Sequence, residues 1–211
     1  MLRVLKPLRK ICVSGVVFIF PCAIYAQEKS FADPAKNFSG TAVQFDIGYQ
    51  AYSIKARDLR LNYGSFKLPD QPYQGSSTPY FFGLSHTFAL GSQATIAAQI
   101  EVNPVNKQYV LSVLPGYALN PDVQVYAKMG LVNAQMNVDV LDNQNRVGST
   151  MGLVAAVGAK YLWTSNWYGF VETNYIKMNS FSLQTKRNVF TVTGQADFSA
   201  YNIMVGVGYK F

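Results

Sequence analysis

Few residues in this 211-residue chain are placed to do chemistry. The only histidine is His86. A Ser-His-carboxylate site would need that imidazole in a pocket, within reach of a hydroxyl and an acid. Its segment argues otherwise: Tyr80, Phe82, Leu84, His86, Phe88 and Leu90 recur at every second position, opposite Gly83, Ser85 and Thr87. A period of two means a β-strand with alternating faces, so His86 shares the apolar face and reads as an interfacial ring. No glycine-rich phosphate loop, metal-ligand cluster or pair of catalytic carboxylates at usable spacing is present. The sequence therefore predicts no catalytic residue, no metal and no cofactor.

A second set of charges lies on the opposite kind of face. Asp46, Glu101 and Glu172 alternate with apolar neighbours, as do Lys128, Lys160 and Lys210. Counted from the nearest turns, Lys128, Glu172 and Asp46 fall at similar depth, with Lys160 a little lower. If these faces converge on a narrow interior, an unpaired charge costs several kcal/mol, so acids and bases should pair. The expectation is a lumen ion-pair network centred on Lys128 and Glu172. A gated ion path through the same residues is the functional alternative, which a narrow interior disfavours.

The elements that would position these residues are all strands. Val43, Phe45, Ile47, Tyr49 and Ala51 share one face of the first, which begins near Phe38. Further strands are predicted at about 78–90, 93–103, 107–119, 123–135, 150–162 and 167–177. In the fourth, Pro115 suggests a bulge or a locally broken ladder. The closing strand, Tyr201–Phe211, sets Tyr201, Ile203, Val205, Val207, Tyr209 and Phe211 against Asn202, Met204, Gly206, Gly208 and Lys210. It is expected to pair with the first strand around Val43 to Tyr49, leaving no free edge.

Gly91-Ser92, Asn120-Pro121-Asp122 and Thr164-Ser165-Asn166 are short turns. On the other side, segments 53–77, 137–149 and 178–196 read as long polar loops, the first with room for a hairpin. Their cations Lys55, Arg57, Arg60 and Lys67 read as a solvated face that could also pair with lipopolysaccharide phosphates. Eight strands of about 11–13 residues, with short turns at one end and long loops at the other, define an all-β, eight-stranded antiparallel up-and-down transmembrane barrel over residues 38–211. A soluble barrel of lipocalin type would need a charged outer face. The face opposite the apolar one here is instead rich in Gly, Ala, Ser, Gln and Asn, which suits a narrow lumen. Aromatics near strand ends, among them Tyr49, Tyr80, Tyr109, Tyr117, Tyr161, Trp167 and Tyr175, suit interfacial girdles.

The first residues differ in kind. Arg3, Lys6, Arg9 and Lys10 precede the apolar run Ile11–Phe20 and a small residue at Ala26. That reads as a secretory signal peptide over 1–26, cleaved after Ala26. Phe20-Pro21 before Cys22 does not resemble a lipobox. Residues 27–37 read as a short, unpatterned periplasmic leader. Of 18 basic residues, four lie in the signal; the remaining 14 against 11 acidic residues give +3, weak support for nucleic acid as a partner. Both cysteines, Cys12 and Cys22, also fall in the signal, so no disulfide is expected afterwards.

Several segments together resemble the small eight-stranded outer-membrane barrels related to the transmembrane domain of outer membrane protein A, protein X and the opacity adhesins (an opacity-type porin family). They are Leu114-Pro115-Gly116-Tyr117 with Val125-Tyr126-Ala127-Lys128-Met129-Gly130, Val157-Gly158-Ala159-Lys160-Tyr161 with Val171-Glu172, and the ending Val205-Gly206-Val207-Gly208-Tyr209-Lys210-Phe211. The resemblance implies the outer membrane of a Gram-negative bacterium. It also implies that Tyr209 and Phe211 carry the signal read by the barrel-assembly machinery. Unlike outer membrane protein A, the chain is expected to lack a peptidoglycan-binding domain. The function implied is non-enzymatic: envelope integrity and adhesion to a host or surface ligand through the loops, in contact with outer-membrane lipid and lipopolysaccharide. A small-solute or ion-permeable porin is the alternative, and a lipid A-modifying enzyme a third reading.

Overall fold

A computed structural model describes residues 29–61, 70–140, 143–187 and 190–211. The signal peptide expected over 1–26, its cleavage site at Ala26 and the loop cation Lys67 lie outside the described residues. A short helix α1 (Pro34–Phe38) is followed by strands β1 (Gly40–Leu61), β2 (Gln71–Ser77), β3 (Tyr80–Ala89), β4 (Ala94–Asn103), β5 (Gln108–Ala118), β6 (Val123–Val140), β7 (Asn143–Leu162), β8 (Trp167–Met178), β9 (Phe181–Arg187) and β10 (Phe190–Lys210).

These ten segments build a wall of eight antiparallel strands. β2 and β3 meet β1 in one register, since Gln50 faces Ser77 and Ile47 faces Tyr80. They form one strand interrupted at Pro79, which lacks an amide hydrogen but whose carbonyl still accepts from the Gly48 amide at 3.0 Å. β8 and β9 follow one another along β10 with a one-residue slip, Lys177 facing Ser199 and Phe181 facing Ala196. β10 returns to β1, from Lys210 opposite Ala42 to Gln195 opposite Arg57, and so closes the barrel. Within β5, Leu114 and Pro115 lose their partners on β6, yet the register is the same on either side. The ladder is locally broken without a bulge.

Segments expected as polar loops are largely strand. β1 continues to Leu61 and β2 begins at Gln71; β6 and β7 extend through most of 137–149; β9 and β10 occupy most of 178–196. Along these arms polar residues stand at both phases of the two-residue period, so no apolar face marks them as strand, although backbone pairing continues in register. The short turns are fixed by side chains: Asn120 Oδ1 accepts from the amides of Asp122 and Val123 at 2.9 and 2.8 Å, and Thr164 Oγ1 from those of Asn166 and Trp167 at 3.2 and 3.0 Å.

Outward side chains form the apolar band. On β10, Tyr201, Ile203, Val205 and Val207 are exposed, while Ala200, Asn202, Met204 and Lys210 are buried in the lumen. From Tyr201 to Phe211 the strand rises about 25 Å, taking about 3.3 Å per residue and a tilt near 40°. Trp167, Tyr209 and Phe211 form an aromatic cluster at the short-turn end, with ring centroids 5.1 and 5.3 Å apart. Tyr175 and Tyr201 make a pair at the other end of the band, 4.8 Å apart.

Bulky lumen side chains are accommodated by glycines directly across the ladder. Tyr126 faces Gly158, Tyr168 faces Gly208 and Phe170 faces Gly206. A Cβ at Gly158 or Gly206 would sit 2.5 Å from the opposing ring. Rings therefore lie flat over the neighbouring strand, which is how a narrow barrel holds aromatic residues at all.

Candidate functional site

The lumen is filled at three levels. At the short-turn end, residues 29–38 fold across the mouth instead of trailing as an unpatterned leader. The Ala35 amide donates to the Ser92 carbonyl at 2.9 Å, and Asn37 Nδ2 to the carbonyls of Ser30 and Pro121 at 2.9 and 3.3 Å. Lys29 pairs with Asp122, and Lys210 Nζ donates to the Asn37 carbonyl. Phe38 is thereby driven into the barrel, where it packs with Ala118, Leu162, Tyr168 and Phe170.

The ion pairs lie further in. β6 presents Lys128 between Glu101 of β4 and Glu172 of β8. Its Nζ donates to Glu101 Oε2 at 2.7 Å and to Glu172 Oε1 at 2.9 Å, and all three side chains are 3–5% exposed. Gln44 and Gln99 also donate to Glu101 Oε1, at 3.3 and 3.2 Å. A shared ammonium between two carboxylates, supported by amides, is the arrangement that makes buried charge tolerable.

The other three charges expected in this network make no ion pair with Glu101, Lys128 or Glu172. Lys160 has its Nζ 5.1 and 5.2 Å from the ring centres of Tyr126 and Tyr168, a cation–π site below the carboxylates. Lys210 is held at the mouth by the backbone of α1. Asp46 is 3% exposed and makes no ion pair among the described residues. Its Oδ1 and that of Asn202 are unpartnered. Both residues line a cavity of about 20 Å³ with Glu101, Lys128 and Glu172, the size of a single water.

Above the charges the lumen turns apolar. Phe81, Val110, Val132, Val154, Ile176 and Met204 form a buried layer, flanked by Tyr52 and Phe198. In the sequence this layer is masked by the small and polar residues that share its inward phase. Its signal is that Phe81, Val110, Val132, Val154 and Ile176 occupy inward phases of strands whose outward phases are equally apolar. His86 sits on the outer wall, sharing a 2.8 Å hydrogen bond with Thr41 and packing against Phe88.

An apolar outer band between two aromatic girdles, a wall closed by the β1–β10 pairing and an interior packed with side chains define an integral outer-membrane β-barrel. Residues 23–211 match the family model for the outer membrane protein beta-barrel domain, and the chain belongs to that family. It resides in the outer membrane of a Gram-negative bacterium. Among solved structures, the outer membrane protein OprG from Pseudomonas aeruginosa is similar in fold: 14% identity, 82% of this chain and 96% of that one, TM-score 0.57. Weaker likenesses are Ail, the attachment invasion locus protein of Yersinia pestis (16% identity, 82% and 99% coverage, TM-score 0.45), and Neisserial surface protein A (18%, 82% and 98%, TM-score 0.41). No curated protein sequence matches the chain.

Proposed function

We propose that this barrel is a non-enzymatic structural and surface-interaction protein, which works through its outer wall and its long hairpins and not through its lumen. The observation that carries this reading is the closed interior: the α1 lid with Phe38, the Lys128–Glu101–Glu172 cluster, and the apolar layer around Phe81, Val154 and Met204 lie in series. A solute would have to displace all three. The hairpins built from β1–β2, β6–β7 and β9–β10 extend the wall beyond the apolar band and would carry envelope contacts or adhesion. Tyr209 and Phe211, in the girdle with Trp167, would be the residues read by the barrel-assembly machinery.

Planar-bilayer recordings on the purified full chain test this. Silence is the expected result. Steady openings that change on substitution of Lys128 or Glu172 would overturn it in favour of a small-solute or ion channel. An altered lipid A profile in cells overexpressing the protein would replace it with an enzymatic role.

A further inference from the structure

The outer wall carries a charge pattern that the closed lumen leaves unused. Rows across β1, β10, β8 and β7 can be followed through the ladder. Val157, Thr173 and Ile203 share one row. The next outward row toward the hairpins holds Ala155, Tyr175, Tyr201 and Ala51, and the one beyond it Leu153, Lys177, Ser199 and Ser53. Lys55 stands one step further, opposite Asp197, and Arg57 follows. The cations therefore begin about 7 Å along the strand from the Tyr175–Tyr201 girdle and end within about 13–20 Å of it. That is headgroup depth, outside the hydrocarbon band.

Lys55, Arg57, Lys177 and Asp197 line one recess of about 670 Å³ on this wall. Its single carboxylate is already engaged: Asp197 Oδ1 accepts from Ser180 Oγ at 2.6 Å, and its other oxygen pairs with Arg57. Lys55 and Lys177 are exposed, and neither forms a salt bridge within 4.0 Å among the described residues, although Lys177 lies near enough to Asp197 to help hold its carboxyl down. Leu153, Tyr175 and Phe198 form the apolar side of the same recess. One row below Tyr175 and Tyr201 begins a lipid-facing groove lined by Val157, Val171, Thr173 and Ile203, with small residues Gly158 and Ala159 between them, which runs on across β6 to Pro115 and Tyr117 of β5.

We infer that this recess is a binding site for lipopolysaccharide, with a lipid A phosphate held by Lys55, Lys177 and Arg57 and an acyl chain laid in the groove below. Two exposed ammonium groups outside any salt bridge attract the anion, and the guanidinium, fixed by Asp197, offers it remaining N–H donors. The proposal rests on the outer-membrane placement and deepens the surface role by naming its lipid partner.

The test uses the full chain purified in mild detergent. Affinity is measured for bisphosphorylated lipid A, phosphate-free lipid A and phosphatidylglycerol, on the wild type, the Lys55→Glu/Lys177→Glu variant and Lys107→Glu. Lys107 is an exposed cation in the β4–β5 turn, away from the recess. The double charge reversal should weaken bisphosphorylated lipid A by about tenfold or more, while Lys107→Glu leaves it unchanged. The phosphate-free form should bind the wild type about as weakly as it binds the double variant. Equal affinity of wild type and double variant would overturn the site. Equal binding of phosphate-free lipid A would overturn the phosphate contact, and equal binding of phosphatidylglycerol would mark a general anionic-lipid surface and refute the assignment. The heat-modifiable gel shift of each variant reports the barrel separately, so loss of the site is distinguishable from loss of the membrane fold.

Discussion

Replacing Lys128 by methionine should be among the most damaging single changes in the lumen. The side chain keeps its length and loses its charge. Two charge-assisted hydrogen bonds disappear, at 2.7 and 2.9 Å, and Glu101 and Glu172 are left facing each other with about 5% side-chain exposure. Removing one partner of a buried ion pair costs about 3–5 kcal/mol, because the remaining charge is stranded in a poor solvent. A loss near 4 kcal/mol is about a thousandfold in the folding equilibrium. With a urea dependence of about 2 kcal/mol per molar, the unfolding midpoint should fall by about 2 M. The assay is reversible urea unfolding in lipid vesicles, followed by tryptophan fluorescence and the heat-modifiable gel shift. The triple variant Lys128→Met/Glu101→Gln/Glu172→Gln keeps the shape without the charges and should recover to within about 1 kcal/mol of the wild type. A midpoint shift below about 0.5 M for the single variant, or a triple variant as unstable as the single one, would refute the claim that this cluster is a mutually dependent charge set.

Phe38→Ala should release the lid over the short-turn end, shown by faster protease cleavage within 29–39, while the barrel itself still resists. Gly158→Ala places a Cβ against the Tyr126 ring and 2.8 Å from the Val171 carbonyl, which should cost about 1–3 kcal/mol. Adding Tyr126→Ala should cost less than the two single losses together, as read by a double-mutant cycle in urea. Phe211→Ala removes one ring of the Trp167–Tyr209–Phe211 cluster and should lower the folded fraction in outer-membrane preparations far more than Tyr73→Ala, an exposed ring on the β1–β2 hairpin. The Asp197 carboxyl is held below its ordinary value of 3.8, first by the Ser180 hydroxyl and then by Arg57. A depressed carboxyl stabilises the fold above its ordinary pKa and loses that contribution as pH falls through the lowered one. Amide protection around 197 should thus hold at pH 5 and decline below about 4; Asp197→Asn should remove that decline.

Much of this protein is legible from residue order, for a definite reason. In a membrane-spanning sheet the outward face meets lipid, so Val43 to Ala51, Tyr80 to Leu90 and Tyr201 to Phe211 carry a strict two-residue period that needs no tertiary information. Strand count, closure, girdles and the inward phase of Glu101, Lys128 and Glu172 follow from that period and from turns such as Asn120-Pro121-Asp122. Where both faces meet water the period carries no contrast, and the strands of the long hairpins read as loops. Partnership inside the barrel was decided only by the register between strands. Shear set which charges met, joining Lys128 to Glu101 and Glu172 while leaving Lys160 between two tyrosines and Asp46 beside a one-water cavity. The same shear put Tyr126 over Gly158 and Tyr168 over Gly208, folded residues 29–38 back under the wall, and brought Lys55, Arg57 and Lys177 around one recess on its outside. Alternation is a property of one strand and its solvent, whereas depth is a property of all eight strands together.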